Sequence, residues 1–364
     1  MTTPALLRLR EARPQAHITL LTPAKLADLW RHHPAIDSLL TFQDPDSPFA
    51  IGRRLRRASP SIALILPNSP RSALEVFLGH IPHRIGYARP WRNFLLTQRV
   101  PPHPDEVRMR KPSRREILRR IAHPARAGFS PPPRAHQLYQ YLRLAATLGA
   151  KAEPLPPLIA VTVPEVEAVR LRFGLPSGAA RPPLLGLNAG AEYGPAKRWP
   201  RDRFVAAAME LQRRTQCHWW IFGAKTDEPL ASGIASELAS AKTGPPDSVR
   251  CLAGQTSLRE LCAALKACDL LLTNDTGPMH VAAAVGTPVV VPFGSTSPEL
   301  TGPGFPGDPQ HRFLQAGVSC SPCFRRECPI DFRCMHGIGS EAIVAAAMQA
   351  LRGDTQAAGT LRPW

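Results

Sequence analysis

Aromatic residues are scarce in this 364-residue chain, at 6% with only four tyrosines. Long apolar stretches are absent too. The longest, near residues 281–293, is broken by Gly286, Pro288 and Pro292, well short of the roughly 18 to 20 residues a membrane-spanning helix requires. The N-terminus reads MTTPALLRLREARP, with charges where a secretion signal would have its apolar core. A cytoplasmic location is therefore expected. Acidic residues are outnumbered, 28 against 45 basic ones, which leaves a net charge of +17. Such a surplus favours anionic partners: nucleic acid, membrane phosphates or a phosphorylated substrate. A proteome rich in Arg and Pro would give the same figure, so charge alone chooses no partner. Nucleic acid is the weakest of the three, because the sequence has no recognisable reading motif or aromatic platform. Gly302, Gly304 and Gly307 spell G-x-G-x-x-G, but Pro303, Pro306 and Pro309 prevent a helix from starting there, which excludes the dinucleotide reading.

What the chain does have is 44% apolar residues and enough length for two domains of ordinary size. Thr2, Thr3 and Pro4 signal a helix start, a capping hydroxyl followed by a first-turn proline. Strands are expected at 16–22, 36–42, 62–66 and 84–87, and helices at 23–32, 70–79 and 136–148. The strand at 62–66 is expected to be buried. Residues 91–133 are rich in Pro and Arg with patchy periodicity, and a helix is expected at 165–173. After a proline-rich hinge at 176–183 the alternation becomes clearer. Strands at 184–187, 219–222, 249–252, 270–273 and 288–293 alternate with helices at 201–214, 227–240, 258–267 and 278–285. A helix at 341–351 closes the series. No internal repeat is present. Helices alternating with short apolar strands imply an α/β fold with parallel sheets covered on both faces. The expectation is two doubly wound, Rossmann-like domains, 1–175 and 183–352, facing a common cleft with ligands at the carboxyl ends of the strands. A doubly wound domain normally opens on a strand, whereas this chain opens on a helix cap. The first strand of the N-terminal domain is expected to be missing.

The strongest chemical signal is LLLTNDTGPMHVAAAVGTPVVVPFG, residues 270–294. An apolar strand runs into Asn274-Asp275-Thr276-Gly277, and Pro278 starts a helix whose unpaired N–H groups suit a pyrophosphate. Gly277 permits close approach, Thr276 can donate a hydroxyl, and Asp275 is suited to sugar hydroxyls. His280 lies one turn on. Plain helix capping by Asp275 and Thr276 is the alternative. The segment NAGAEYGPAKRWP, 188–200, follows the first strand of its domain and offers Lys197 or Arg198 to a phosphate; a solvated surface turn is the alternative there. The strand ends FGAK (222–225) and AGQTSL (253–258) would flank a nucleotide, although loop or capping roles are the better explanation of each taken alone.

These segments resemble the lipopolysaccharide heptosyltransferase family, inverting glycosyltransferases of the two-domain GT-B fold (family 9). GAEYGPAKRWP, NDTGPMHVAAA, FGSTSPELTGP and LPNSPRSAL resemble the branch that adds the second heptose. The resemblance implies an ADP-heptose donor held by Lys197, Asp275, Thr276, Gly277 and His280, with Thr256 near the adenosine. Lys225 occupies the place where a related enzyme type carries an acidic residue for the ribose. The resemblance further implies an acceptor of heptose–Kdo–lipid A, the inner core of lipopolysaccharide, on the first domain. Asn68, Ser69 and Arg71 are the acceptor candidates, and the basic surface would rest on the inner membrane. The family's general base is an Asp on a Gly-Asp loop that would fall just before Met1, so no catalytic residue is assigned within the chain. A start codon placed too late and a degenerate, inactive relative are the two explanations. A sugar-nucleotide protein of the same fold but another specificity is a further reading, and a basic nucleic-acid-binding protein a distant one.

Eight cysteines without an export signal are expected to be reduced. Cys217, Cys251, Cys262 and Cys268 read as small core residues. Cys320, Cys323, Cys328 and Cys334 fall within fifteen residues and could form a tetrahedral, structural zinc site, although their spacing is not a common finger pattern. Reduced packing cysteines, or a disulfide, are the alternatives. The implied reaction requires no metal cofactor.

Overall fold

The computed structural model describes residues 1–43, 46–124, 129–175 and 182–353. The chain forms two compact units, Met1–Glu106 with Pro132–Ala160, and Val107–Pro131 with Val161–Trp364.

The first unit runs α1 (Thr3–Ala12), β1 (Thr19–Pro23), β2 (Ser38–Phe42), α2 (Pro48–Ala58), β3 (Ile62–Ile65), α3 (Pro70–Leu78), β4 (His83–Tyr87) and β5 (Gln98–Val100). The chain then gives α4 (Arg114–Ala122) to the second unit and returns to the first for α5 (Gln137–Ala146). Strand β1 pairs in parallel with β2, and β3 and β5 flank β4 in a second parallel sheet. Helices α2 and α3 supply Ile51, Leu55, Ala73 and Val76 to a core that includes Ile65 and Ile81. On another cluster Ile85, Tyr87 and Val100 meet Leu144 of α5.

Several local expectations change. Thr2 makes no side-chain cap on α1; Pro4 sits in the first turn, and the Thr3 hydroxyl instead accepts from the Leu158 N–H at 3.1 Å. Residues 23–32 give a 3₁₀ turn, Ala24–Trp30, with no buried residue; without a face to bury, a short helix gains too little from packing. The expected buried strand at 62–66 is only partly covered, with Ile62 44% exposed, because β3 stands at the end of its sheet. Helix α2 was not expected. Ser47 caps it by accepting from the Ala50 N–H, Pro48 stands in its first turn, and Ile51 and Leu55 face inward one turn apart.

The second unit continues with α6 (Val163–Arg172), β6 (Leu184–Asn188), α7 (Arg201–Thr215), β7 (His218–Ile221), α8 (Glu228–Ala241), β8 (Val249–Cys251), α9 (Leu258–Ala267) and β9 (Leu270–Thr273). It ends with α10 (Gly277–Ala284), β10 (Val289–Pro292), α11 (Pro298–Thr301), β11 (Arg312–Leu314), α12 (Arg333–His336) and α13 (Ser340–Leu351). All six strands are parallel, in the order β8-β7-β6-β9-β10-β11. The inner strands LLGLN, LLLT and VVVP are buried at every residue, as continuous apolar runs between two layers of helices should be. Alternate residues serve opposite faces: Leu185, Leu187, Trp219, Ile221, Leu270 and Leu272 join one core with α7, α8 and α13. On the other face Gly186 packs beside Leu271, Phe222 and Cys268. Strand order reverses between β6 and β9, the switch point at which doubly wound sheets open a crevice for ligands.

The division between units differs from the expected one. Of the anticipated hinge, residues 176–181 lie outside the described residues, and segments 107–131 and 161–175 pack with the second unit. Ile117 of α4 clusters with Cys320 and Cys323. On α6, Glu165 accepts from Arg259 Nε and Nη2 of α9 at 2.6 and 2.7 Å.

That fork of charge-assisted bonds, with desolvation opposing it, holds the Glu165 carboxyl down at about 2 from an ordinary 4.5. Above about pH 4.5 the stabilisation is complete; it is lost as pH falls toward 2, because the unfolded carboxyl takes up its proton first. Arg259→Met is expected to lower the unfolding free energy by about 1–2 kcal/mol at pH 7. Urea titrations should show that difference shrinking at pH 2, and an undiminished gap there would contradict this account.

Candidate functional site

Three loops leave the carboxyl ends of β6, β9 and β10 at the switch point. The first carries Lys197. Asn188, the last residue of β6, is aligned with Thr273 of β9, and its amide donates to the Thr273 hydroxyl at 3.2 Å. Asn274 then ties the loops together: its Nδ2 donates to the Ala189 carbonyl at 2.7 Å, and its Oδ1 accepts from the Trp199 N–H at 2.9 Å. Trp199 is buried, with its indole N–H on the Ile338 carbonyl at 3.0 Å and its ring edge-on to Phe204. Gly194 adopts φ +143° and passes so close to the Arg326 carbonyl that a Cβ would clash, which only glycine tolerates.

This anchoring presents Lys197 to Asp275. The ammonium lies 2.6 Å from Asp275 Oδ2, with side chains 14% and 4% exposed. The same carboxylate oxygen accepts from the Thr296 hydroxyl, on the loop after β10. Lys197 also lies over the Tyr193 ring, 4.8 Å from its centroid, and Arg326 approaches that ring at 5.1 Å. The tyrosine hydroxyl is fixed on the Phe324 carbonyl at 2.8 Å. Asp275 thus serves as counter-ion to a lysine that needs one when withdrawn from water.

Immediately after Asp275, Thr276 precedes the first turn of α10 in an extended conformation, and its side chain makes no capping bond. Helix capping by Thr276 is therefore not what the loop does. Gly277 is exposed, and a Cβ there would meet nothing within 4 Å. Packing does not demand glycine, and the space beside the backbone is open. The start of α10 combines the exposed Gly277, the positive end of the helix dipole and a nearby ammonium, an arrangement suited to a diphosphate. His280 lies half-buried one turn further on.

Other candidates fall elsewhere. Thr256 is half-buried in the loop after β8, two strands away from β6; its neighbour Gly254 donates to the Gly223 carbonyl at 3.0 Å. Lys225 is exposed. Asp227, two residues on, was not anticipated: its carboxylate accepts from the Ala224 N–H at 3.2 Å and packs against Gly190 of the lysine loop. In the first unit, Ser69 caps α3 by accepting from the Ser72 N–H, and Arg71 pairs with Glu75 at 2.9 Å and bonds the Asp46 carbonyl. Asn68 is exposed. Asn274, Trp199 and Thr296 were also missed as individuals, although each stands inside a run that the sequence had marked.

Replacing Asn274 by Ala would leave the Trp199 N–H and the Ala189 carbonyl buried without partners. A loss of about 2–4 kcal/mol in unfolding free energy is expected, measured by denaturant titration, and a loss under 1 kcal/mol would mean the staple is dispensable.

Residues 49–332 match glycosyltransferase family 9 (heptosyltransferase). Lipopolysaccharide heptosyltransferase 2 of Salmonella typhimurium is 31% identical over 317 residues, covering 83% of this chain and 81% of that protein. Lipooligosaccharide heptosyltransferase 2 of Haemophilus influenzae is 28% identical over 303 residues, 80% of this chain and 78% of that protein. Among solved structures, E. coli ADP-heptose LPS heptosyltransferase II superposes with a TM-score of 0.74 at 24% identity, over 97% of this chain and 95% of that one. E. coli heptosyltransferase WaaC with ADP gives 0.64 at 15% identity, over 96% and 95%. The α/β fold with parallel sheets is therefore that of the GT-B heptosyltransferases. The chain belongs to glycosyltransferase family 9, the heptosyltransferases, and is a glycosyltransferase of lipopolysaccharide core synthesis.

Proposed function

We propose that the chain transfers heptose from ADP-L-glycero-D-manno-heptose to the heptose/Kdo inner core of lipopolysaccharide, with inversion at the anomeric carbon. The observation that carries this reading is the Lys197 ammonium, fixed 2.6 Å from Asp275 beside the open start of α10. The diphosphate of the donor would lie along the Thr276–Gly277 backbone, where helix N–H groups and Lys197 share its charge. The acceptor hydroxyl oxygen forms a bond to the anomeric carbon as the bond from that carbon to the β-phosphate oxygen breaks. The electron pair leaves with ADP. The hydroxyl proton passes to a general base that the motifs of this chain do not assign. Charge grows on the departing diphosphate, so donors placed there in advance lower the barrier without reorganising. Asp275, already oriented by Thr296, would accept from a sugar hydroxyl and hold the ring in line. His280 would contact the same donor, and Thr256 would lie on the adenosine side.

The first unit would take the acceptor, with Asn68, Ser69 and Arg71 at the carboxyl end of β3. Among the described residues no helix is long and apolar enough to cross a membrane. The net charge of +17 would instead hold the protein on an anionic membrane surface. The reaction as proposed uses no metal, because a lysine and helix N–H groups meet the charge of the leaving group.

Two variants test the donor site. Lys197→Ala is expected to weaken ADP binding at least tenfold by calorimetry, about 1.4 kcal/mol. Gly277→Val leaves the Lys197–Asp275 pair intact and fills only open space, so it should fold normally while losing ADP affinity. Unchanged ADP affinity in both would remove the assignment. ADP-heptose should also raise the melting temperature more than UDP-sugars do; at a hundredfold excess over Kd it adds about 2.7 kcal/mol.

A further inference from the structure

The donor site makes no use of the four thiols between Cys320 and Cys334, yet the fold brings them together. Cys320, Cys323, Cys328 and Cys334 line one cavity of about 10 Å³ with Ser295 and Arg333, room for a single water-sized occupant. All four are unbridged thiols, three buried and Cys328 half-buried. The Phe332 N–H donates to the Cys328 sulfur at 3.2 Å, and Arg333, paired with Asp331 at 2.7 Å, stands on the same cavity wall. Ser295, on the same cavity wall, is 1% exposed and its hydroxyl has no hydrogen-bond partner.

Four free thiols lining one small cavity, beside a buried hydroxyl without a partner, are the soft donor set that holds a thiophilic cation. We propose that this cavity binds one thiophilic divalent cation of the zinc class, through Cys320, Cys323, Cys328 and Cys334. As the side chains stand, no three His, Cys, Asp or Glu groups among the described residues are disposed to hold a metal. Each sulfur is one rotatable bond from its backbone, so closing on the ion requires side-chain rotation and release of the thiol protons to solvent. Four thiolates around a divalent ion leave two negative charges, which the Phe332 N–H already on the Cys328 sulfur would help to offset.

The ion would act as a brace. The Cys323 and Phe324 N–H groups donate to the Ser295 carbonyl at 3.0 and 2.7 Å, and the Arg326 carbonyl accepts from the Ala196 N–H at 3.0 Å. Fixing the cysteine segment therefore fixes the loop that carries Lys197. This consequence rests on the donor-site reading above, whereas the metal site does not.

The test uses the full chain, reduced, with and without one equivalent of Zn²⁺, alkylated briefly under native conditions and mapped by mass spectrometry. Zinc should protect the four cluster cysteines, and a chelator should restore their reactivity. Cys217, Cys251, Cys262 and Cys268 should be indifferent to it. Equal alkylation with and without zinc overturns the site. Competition against a chromogenic chelator should give one ion per chain, with Cys328→Ser and Cys334→Ser each weakening zinc at least about tenfold. Zinc retained by the double variant also overturns it, and the wild-type mapping holds should the variants fail to fold. Chelation should weaken ADP binding; unaltered ADP affinity alongside zinc-protected thiols overturns the brace alone and leaves the metal site standing.

Discussion

Lys197 and Asp275 face each other across 2.6 Å, both largely buried, and the loops after β6, β9 and β10 keep them there. An ammonium withdrawn from solvent loses hydration that one carboxylate and an aromatic face only partly replace. The pair is tolerable because both partners are held from outside: the lysine loop by Asn274 and Trp199, the carboxylate by Thr296. In the proposed reading, a diphosphate would add a second anion to the same ammonium at the start of α10, and binding would complete an electrostatic arrangement whose geometry is already set.

The frame behind this site is the six-stranded parallel sheet. Its inner strands admit no water, so the loops at their ends cannot drift without disturbing a close-packed interior. Asn188 and Thr273 mark the point where strand order reverses and where two loops diverge. A site on such a sheet gains rigidity from the core and openness from the topology. The cysteine segment belongs to the same system, because its backbone links the loop after β10 to the lysine loop through Ser295, Phe324 and Arg326.

Family membership extends this picture without replacing it. The relatives share the fold and the class of transfer, while the donor contacts proposed for this chain are argued from its own residues. Gly277 shows the difference. Nothing in the packing explains a glycine there, whereas the proposed donor, approaching the backbone, would.

The sequence alone determined most of the second unit. Runs such as LLLT and VVVP, bounded by turn signals, read as buried strands, Pro278 suits the first turn of a helix, and the Asn-Asp-Thr-Gly segment then falls at a strand's carboxyl end. Lys197 and Asp275 were therefore legible as candidates. Weak amphipathic segments were not: α2 escaped notice, residues 23–32 lacked a face worth burying, and β3 proved half-exposed at the end of its sheet. Tertiary structure alone decided that Lys197 meets Asp275, that Asn274 and Thr296 hold them, that Asp227 lies against Gly190, and that α4 and α6 pack with the second unit. The reason is physical. Local pattern reports what each segment can bury, but a hydrogen bond or ion pair between residues dozens of positions apart depends on which strands lie side by side, and strand order is written nowhere in the local pattern.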